Sequence, residues 1–478
     1  MSFCPQNVCC SRPGWLIESS FINDYAVLFR MDKQGDGLTV LPQSTAPANP
    51  LGELLPPLTQ NEAAVESARC LMCFDAPCTH ACPTHIDIPK FIKKISTGNL
   101  PGSARTILEA NLLGASCARV CPVEELCEGA CVLGAEHKPI AIGRLQRHAM
   151  DFVYGKGGDF FAPANGTGRK IAVIGAGPAG LSCAGELAKR GHRVTLFEKR
   201  DLAGGLSTYG IIGLREPVEV ALAEVAMIEN LGVKFETGKE VGADLSLADL
   251  QANFSAVFLS VGLGATPALG IPGEEHIIDG LQYIEQSKMA ADNLVIGRNV
   301  VVVGAGNTAI DCATVAKRLG AGRVTMVYRR TENEMTAYPH EYDFIKREGV
   351  DFSFLTQPVR VIAQNGKVNS LECVRMSLGA TDTSGRPSPQ PIAGSEFFLP
   401  ADQVVKAIGQ QKPSLAAQLK LKTEKGFIQV SESFESSLPG IYAGGDCIRS
   451  HGAASTVMAV QDGKLAARAI HERLVARG

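Results

Sequence analysis

The apolar positions of this chain follow different patterns in its successive segments. Up to about residue 57, prolines and glycines interrupt every apolar run, which predicts an irregular N-terminal tail over residues 1–57. From Gln60 onward, small and apolar residues recur at helical spacing, as Ile88, Phe91 and Ile95 do. These patterns predict an all-helical domain over residues 58–165 that ends in a glycine-rich linker.

Beyond the linker, short apolar runs rich in β-branched residues alternate with glycine turns and helical patterns. The strands predicted from these runs cover residues 171–174, 194–198, 300–303, 324–328 and 439–443. Strands that alternate with helices favour parallel sheets. The predicted fold class is therefore an α-helical domain followed by two α/β Rossmann-like nucleotide-binding domains.

Composition excludes several classes of protein. The 478 residues are 45% apolar and 20% charged, with a net charge of -3, so no basic surface indicates nucleic-acid binding. The longest uncharged apolar stretch, residues 171–185, contains glycines and Pro178 and is a poor membrane span. Since the N-terminus also lacks a signal-peptide pattern, we expect a soluble, cytoplasmic protein with no membrane partner.

Cysteine is concentrated in the helical domain, where eight of these residues fall within 62 positions. They are Cys70, Cys73, Cys78, Cys82, Cys117, Cys121, Cys127 and Cys131. Disulfides are disfavoured because the rest of the chain carries nucleotide-binding motifs of intracellular type. Zinc sites favour paired C-x2-C, of which only one pair is present, whereas the C-x3-C-P ending at Pro83 is typical of bacterial iron–sulfur proteins.

Two [4Fe-4S] clusters are therefore predicted, and two zinc ions remain the alternative. Cys4, Cys9 and Cys10 lack the spacing of cluster ligands and are interpreted as incidental thiols of the tail.

The first α/β pattern carries a dinucleotide-binding motif. Its residues are Gly175, Gly177, Pro178, Ala179 and Gly180. These glycines permit a tight turn between strand and helix, so that a pyrophosphate can lie at the helix N-terminus. Glu198 ends the next strand and is placed to accept a hydrogen bond from a ribose hydroxyl.

A second copy of the motif predicts a second dinucleotide. It contains Gly304, Gly306, Asn307 and Thr308. The following strand ends in Arg329 and Arg330, and arginine at this point can bind a 2′-phosphate, which slightly favours NADP over NAD. The alternative is two solvated arginines at a strand end.

A third glycine-rich segment lies near the C-terminus. Gly445 and Asp446 close a short strand, and a helix is predicted from about Ser455 and Thr456. Asp446 is placed to hold a hydroxyl of a flavin cofactor, while the helix N-terminus directs positive dipole toward the flavin. A plain strand-to-helix corner is the alternative.

The order of these motifs resembles the NAD(P)H-oxidising module shared by the glutamate synthase small subunit and the N-terminal half of dihydropyrimidine dehydrogenase. The resemblance covers roughly residues 58–478 and includes the Gly204-Gly205-Leu206 segment before Tyr209. It implies an FAD domain of residues 166–292 and 408–478, with an NAD(P) domain of residues 293–407 inserted. It also implies that Gly205, Leu206 and Arg215 contact FAD.

The dihydropyrimidine dehydrogenase branch is the more similar one, because Gly143-Arg-Leu-Gln146 matches its cluster-binding glutamine where glutamate synthases tend to carry glutamate. The resemblance implies two ligand sets. One consists of Cys70, Cys73, Cys78 and Cys131, and the other of Cys82, Cys121, Cys127 and Gln146. Cys117 is then a spare, while Ile212 and Asn307 depart from residues common in the family.

The implied function is electron input to a partner. A nicotinamide reduces FAD, single electrons pass through the clusters, and an FMN-containing subunit reduces a pyrimidine. No catalytic acid or base is assigned to this chain, because the pyrimidine proton donor is expected on the partner.

Three alternatives stay open. They are the glutamate synthase small subunit, a disulfide reductase, and a zinc-stabilised scaffold protein. A disulfide reductase is disfavoured because no paired cysteines follow residue 131.

Overall fold

The computed structural model describes residues 29–31, 38–40, 52–156, 160–161, 166, 168–381, 385–449 and 454–476. The chain divides into a unit of residues 1–50 and a unit of residues 51–478. In the first unit, Phe29–Met31 (β1) pairs antiparallel with Leu38–Val40 (β2), a hairpin that the prediction of an irregular tail missed. The predictions for Cys4, Cys9 and Cys10 lie outside the described residues.

Six helices form the cysteine domain, residues 52–156. They are α1 Gln60–Ala68, α2 Pro77–Ala81, α3 Ile88–Ser96, α4 Leu100–Ala110, α5 Gly114–Val120 and α6 Ile142–Lys156. Thr59 and Glu62 cap α1 reciprocally, and prolines in the first turns of α2, α3 and α4 favour helix starts there. The predicted apolar face of α3 is buried in the core of this domain.

The remaining helices belong to the α/β part of the chain. They are α7 Pro178–Ala188, α8 Leu206–Tyr209, α9 Val218–Asn230, α10 Leu247–Asn253, α11 Gly280–Met289, α12 Asn307–Arg318, α13 Pro339–Arg347, α14 Ser414–Gln418 and α15 Thr456–Ala476. The predicted helix near Ser455 is thus present as α15.

Sixteen further strands follow the cysteine domain among the described residues. They are β3 Lys170–Ile174, β4 Arg193–Phe197, β5 Lys234–Glu236, β6 Ala256–Leu259, β7 Ile278–Asp279, β8 Asn299–Val303, β9 Arg323–Val327, β10 Asp351–Ser353, β11 Thr356–Gln364, β12 Lys367–Thr381, β13 Pro387–Pro391, β14 Phe397–Pro400, β15 Gln403–Lys406, β16 Thr423–Glu424, β17 Phe427–Ile428 and β18 Ile441–Ala443. Each of the five strands predicted from the apolar runs overlaps one of these.

The first α/β domain is built on a parallel sheet in the order β18-β6-β3-β4-β5. The central strand β3 is buried, as a parallel sheet covered on both faces requires. Helices α7 and α15 pack closely at Gly463. A Cβ atom at this position would lie 2.1 Å from the carbonyl oxygen of Ala179, so only glycine fits there. This contact brings the C-terminal helix beside the first glycine motif.

The second α/β domain has a parallel sheet in the order β10-β9-β8-β15-β7. Strand β7 pairs with β15, so this sheet already includes Ile278–Asp279, ahead of the boundary predicted at residue 293. The predicted boundary therefore falls after the first strand of this sheet. Strand β7 has only two residues, so it leaves little apolar signal in the sequence. Strand β18 belongs to the first sheet although it follows the whole second sheet in sequence.

An antiparallel sheet of β11, β12, β13 and β14 was not predicted. Its buried residues pack with the second parallel sheet around Val301, Val361 and Leu371. Among the described residues, no helix is both long and apolar enough to cross a membrane.

Candidate cofactor sites

The first glycine motif forms a narrow turn between β3 and α7. Gly175 has φ +96°, and a Cβ there would lie 2.5 Å from the carbonyl oxygen of Ser260. Gly205 has φ +59°, and its Cβ would lie 2.7 Å from the Cα of Gly177. Two glycine segments therefore approach each other at the N-terminus of α7, and a side chain on either would fill the space that a pyrophosphate needs.

Glu198 lies directly after β4 and is nearly buried. Its Oε2 accepts a hydrogen bond from the Ala176 amide at 2.8 Å, and its Oε1 accepts one from the Arg200 amide at 2.9 Å. These bonds fix the carboxylate against the glycine turn. Each carboxylate oxygen has a second lone pair, so the role predicted for Glu198 toward a ribose hydroxyl is compatible with this position.

The C-terminal glycine segment is held by a residue that sequence reasoning missed. Asp462 of α15 accepts a hydrogen bond from the Gly445 amide at 3.0 Å and forms an ion pair with Arg449. Burial raises the pKa of Asp462 to about 6 and also raises the pKa of Asp446. Asp446 and Thr456 are half-buried at the same end of the first sheet, where the flavin is predicted.

The second glycine motif repeats this geometry between β8 and α12. Gly304 has φ +140°, and a Cβ there would lie 2.2 Å from the carbonyl oxygen of Ala407. Gly306, Asn307 and Thr308 are half-buried at the N-terminus of α12. Asn307 accepts a hydrogen bond from the Tyr338 amide at 3.2 Å through Oδ1. This bond ties the glycine turn to the start of α13.

The two adjacent arginines that follow β9 have different environments in the structure. Arg330 is 3% exposed, and its Nε donates to the carbonyl oxygen of Pro387 at 2.9 Å. Arg329 is exposed at the same strand end. Of the pair, Arg329 is therefore the residue with access to a 2′-phosphate.

Arg215 lies between the two α/β domains. Its Nε is 2.8 Å from Oδ1 of Asp311 in α12, and its guanidinium is 3.1 Å from Oε1 of Glu341 in α13. The contact with FAD that the resemblance implies for Arg215 stays a prediction. Asp311 and Glu341 form ion pairs with the Arg215 guanidinium. These pairs matter for stability, because a buried guanidinium without a partner is energetically costly.

Four cysteines line one cavity with largely apolar walls at the surface of the cysteine domain. They are Cys70, Cys73, Cys78 and Cys131. Burial, together with the neighbouring thiols of Cys131 and Cys70, raises the pKa of Cys78 to about 11. Such thiols stay protonated unless a cationic group binds them, which fits ligands of a metal cluster.

A second group of cysteines lies deeper. A hydrogen bond with Cys117 and burial raise the pKa of Cys121 strongly, and the thiols of Cys127 and Cys82 act in the same direction. Among the described residues, no three Cys, His, Asp or Glu side chains are placed to hold a single metal ion.

Gln146 of α6 is buried against α5. Its Nε2 donates to the carbonyl oxygen of Gly114 at 2.7 Å, and its Oε1 accepts no hydrogen bond within the described part of the chain. Gly114 begins α5, the helix that carries Cys117 and leads into Cys121. Gln146 is therefore held at the start of α5, one turn before Cys117.

A buried carboxylate pair joins the cysteine domain to the first α/β domain, and sequence reasoning missed it. Glu224 of α9 accepts hydrogen bonds from the amides of Ala115 and Ser116 at 2.8 and 3.1 Å. The Ser116 hydroxyl contacts carboxyl oxygens of both Glu224 and Glu216. Since a hydroxyl donates only one hydrogen, at least one of the two carboxyls carries a proton. The available signal was a glutamate at an inward position of α9, in line with the buried Ala221 and Ile228.

Two models of known families match this chain. Residues 169–463 match the model of pyridine nucleotide-disulphide oxidoreductases. The chain belongs to this family. Residues 48–157 match the family model described as dihydropyrimidine dehydrogenase domain II, 4Fe-4S cluster. This pyridine nucleotide oxidoreductase therefore uses FAD, [4Fe-4S] and NAD(P)H as cofactors, which confirms the cofactor prediction.

Curated relatives of the oxidoreductase fall into several enzyme systems. The chain is 37% identical over 427 residues to the NADP(+)-dependent formate dehydrogenase subunit beta of Moorella thermoacetica, covering 84% of this chain and 60% of that one. It is 36% identical to the NAD-dependent dihydropyrimidine dehydrogenase subunit PreT of Escherichia coli K12, covering 89% and 98%. It is 34% identical to the glutamate synthase [NADPH] small chain of the same organism, covering 87% and 93%. The family resemblance predicted from the motifs is thus confirmed.

Solved structures support the fold alone. FprA from Mycobacterium tuberculosis aligns with a TM-score of 0.52 at 20% identity, over 64% of this chain and 85% of that one. Thioredoxin reductase from T. acidophilum aligns with a TM-score of 0.50 at 21% identity, over 64% and 99%.

Proposed function

We propose that this chain is the electron-input subunit of an NAD(P)-dependent dihydropyrimidine dehydrogenase. In this role it oxidises NAD(P)H and delivers electrons to an FMN-containing large subunit that reduces uracil or thymine to the 5,6-dihydropyrimidine. The observation that carries the proposal is the buried Gln146, whose Nε2 is bonded to the first residue of the helix that leads into Cys121 and whose amide oxygen accepts no hydrogen bond among the described residues. An amide is a neutral, harder ligand than a thiolate, so it gives that cluster a distinct charge.

The chain's residues divide among three kinds of site. We assign FAD to Gly175, Gly177, Pro178, Ala179, Gly180, Glu198, Gly205, Leu206, Gly445, Asp446 and Thr456. We assign NAD(P)H to Gly304, Gly306, Asn307, Thr308 and Arg329, with Arg330 supporting the strand end. We assign one cluster to Cys70, Cys73, Cys78 and Cys131, and the other to Cys82, Cys121, Cys127 and Gln146.

When bound, FAD takes two electrons from the nicotinamide and releases them singly to the clusters. The protein's own contribution is binding and orientation. The two glycine turns leave room for phosphates at the N-termini of α7 and α12. Glu198 is positioned to bind a ribose hydroxyl, and Gln146 is fixed by its burial and its bond to Gly114. A cytoplasmic location is part of the proposal, because the cysteines of the described residues are free thiols.

The glutamate synthase small subunit is the second candidate. Identity does not separate the systems, since it is 37%, 36% and 34% for the formate dehydrogenase, dihydropyrimidine dehydrogenase and glutamate synthase relatives. The glutamate synthase chain is also covered over 93% of its length.

Anaerobic affinity purification from the native cells, followed by mass spectrometry of the bound proteins, tests the proposal. We expect an FMN-barrel subunit, and uracil-dependent NAD(P)H oxidation by the purified pair. A large amidotransferase chain would assign the protein to glutamate synthase, and a formate-oxidising partner to formate dehydrogenase. Iron and acid-labile sulfide content distinguishes all of these from a zinc-stabilised scaffold, which contains neither.

A further inference from the structure

A lysine of the C-terminal helix reaches out of the first α/β domain into the cysteine domain. The Nζ of Lys464 donates to the carbonyl oxygen of Ala110 at 2.8 Å and to that of Thr84 at 3.1 Å. Thr84 is fully buried, and its hydroxyl lies 3.4 Å from the Sγ of Cys82. Lys464 therefore contacts the loop that follows a proposed ligand of the second cluster.

The charge of Lys464 has no carboxylate partner among the described residues. The nearby acid is Glu186 of α7, and its carboxylate already forms ion pairs with Lys189 and Arg190. Burial lowers the pKa of Lys464, and the charge of Glu186 opposes this effect. Its two hydrogen-bond acceptors are neutral carbonyl oxygens, so a negatively charged group bound at the Cys82 loop would complete the environment of this half-buried ammonium group.

The position of Lys464 along α15 relates it to the flavin site as well. Eight residues separate it from Thr456, which corresponds to about 12 Å of helix. One helix thus carries the proposed flavin contact at its first residue and a cation at the loop that follows Cys82. Its length fixes how far apart these two groups lie.

We propose that Lys464 is a positioning residue that provides the counter-charge of the second iron–sulfur cluster and raises its reduction potential. The inference rests on the proposed ligand set of Cys82, Cys121, Cys127 and Gln146. One-electron reduction adds one negative charge to a cluster, and a fixed cation stabilises the reduced form more than the oxidised form. The two carbonyl contacts hold that cation beside the Cys82 loop.

Redox titration of the anaerobic holoprotein, followed by electron paramagnetic resonance, tests the inference. We expect Lys464→Gln, which keeps a hydrogen-bond donor but loses the charge, to lower the reduced-to-oxidised ratio of one cluster about tenfold, or about 59 mV. Lys464→Arg is expected to retain the wild-type potential. The matched control is Arg468→Gln, because Arg468 lies one turn later on α15, is exposed and pairs with Glu472.

Full iron content with unchanged potentials in Lys464→Gln would overturn the inference, as would an equal shift in Arg468→Gln. If Lys464→Gln loses one cluster, retention of both clusters by Lys464→Arg supports a role for the charge. Loss of a cluster in both variants would instead make Lys464 a purely structural contact. Absence of iron from the wild-type protein would reject the proposed function itself, independently of Lys464.

Discussion

Adjacent residues with the same chemistry have different environments in this chain. Arg329 and Arg330 are equivalent in the sequence, yet one is exposed and the other donates to the Pro387 carbonyl from a buried position. A guanidinium used for a structural hydrogen bond is less available to a ligand. Nucleotide preference should therefore depend on Arg329.

Replacement of Arg329 by alanine tests this assignment. We expect the ratio of kcat/KM for NADPH to that for NADH to fall about tenfold or more, because a charge-assisted hydrogen bond to the 2′-phosphate contributes about 1.5–3 kcal/mol. Arg330→Ala should lower the Tm instead, since it leaves a carbonyl without its donor. Arg323→Ala is the control, because Arg323 is exposed on β9 and pairs with Asp351. An unchanged ratio in Arg329→Ala would refute the assignment.

Gln146 and Cys117 compete for the fourth position of the second cluster. Cys117 forms a hydrogen bond with Cys121, while Gln146 presents a free amide oxygen. We expect Gln146→Leu to change the resonance spectrum of one cluster and to lower its iron content. Cys117→Ala should leave both properties unchanged. Iron loss in Cys117→Ala, with a normal spectrum in Gln146→Leu, would show that the ligand is Cys117.

At the scale of elements, local patterns predicted most of the fold. Runs such as Ile171–Ile174 and Val300–Val303 appear as buried strands because β-branched apolar residues between glycine turns favour parallel sheets. Strand β7 has only two residues, and burial does not alternate regularly along β12, so both elements leave little periodic signal. Arg215 shows the same limit, since Asp311 and Glu341 are distant in sequence and only the fold places them beside it.

The contact between α5 and α9 depends on a buried acid. Glu224 bonds the first amides of α5, and burial raises its pKa to about 8. Because this folded-state pKa exceeds that of an unfolded glutamate, the unfolded state binds fewer protons between about pH 4.5 and 8, and stability falls as pH rises through this range.

Glu224→Gln should remove this part of the pH dependence. Glutamine keeps an acceptor for the two α5 amides and has no proton to lose, so its Tm is expected to exceed the wild-type Tm at pH 8 and to approach it near pH 5. Glu224→Ala should be less stable at both pH values, because two buried amides lose their acceptor. The measurement is thermal unfolding of the holoprotein at both pH values. A wild-type Tm with the same pH dependence as that of Glu224→Gln would contradict the assigned proton.

At the scale of the whole molecule, the proposed function has electrons leave through the surface of the cysteine domain. The cavity of Cys70, Cys73, Cys78 and Cys131 opens among exposed apolar side chains. Leu71 is 61% exposed and Val132 is 47% exposed on its wall, and Phe74, next to Cys73, is fully exposed at 100%. Contiguous exposed apolar side chains mark protein interfaces, and the function proposed for this chain requires a partner that accepts electrons.

Phe74→Asp should weaken electron delivery without affecting electron input. Phe74 is far in sequence from both glycine motifs, so reduction of an artificial dye by NAD(P)H is expected to stay at the wild-type rate. Electron transfer to the co-purified partner should fall about tenfold or more, since an aromatic interface residue commonly contributes about 2 kcal/mol. Val295→Asp is the control, because Val295 is 81% exposed in the second α/β domain. Equal losses of partner-linked activity in the two variants would place the interface elsewhere, whereas loss of dye reduction in Phe74→Asp would show damage to the cysteine domain itself.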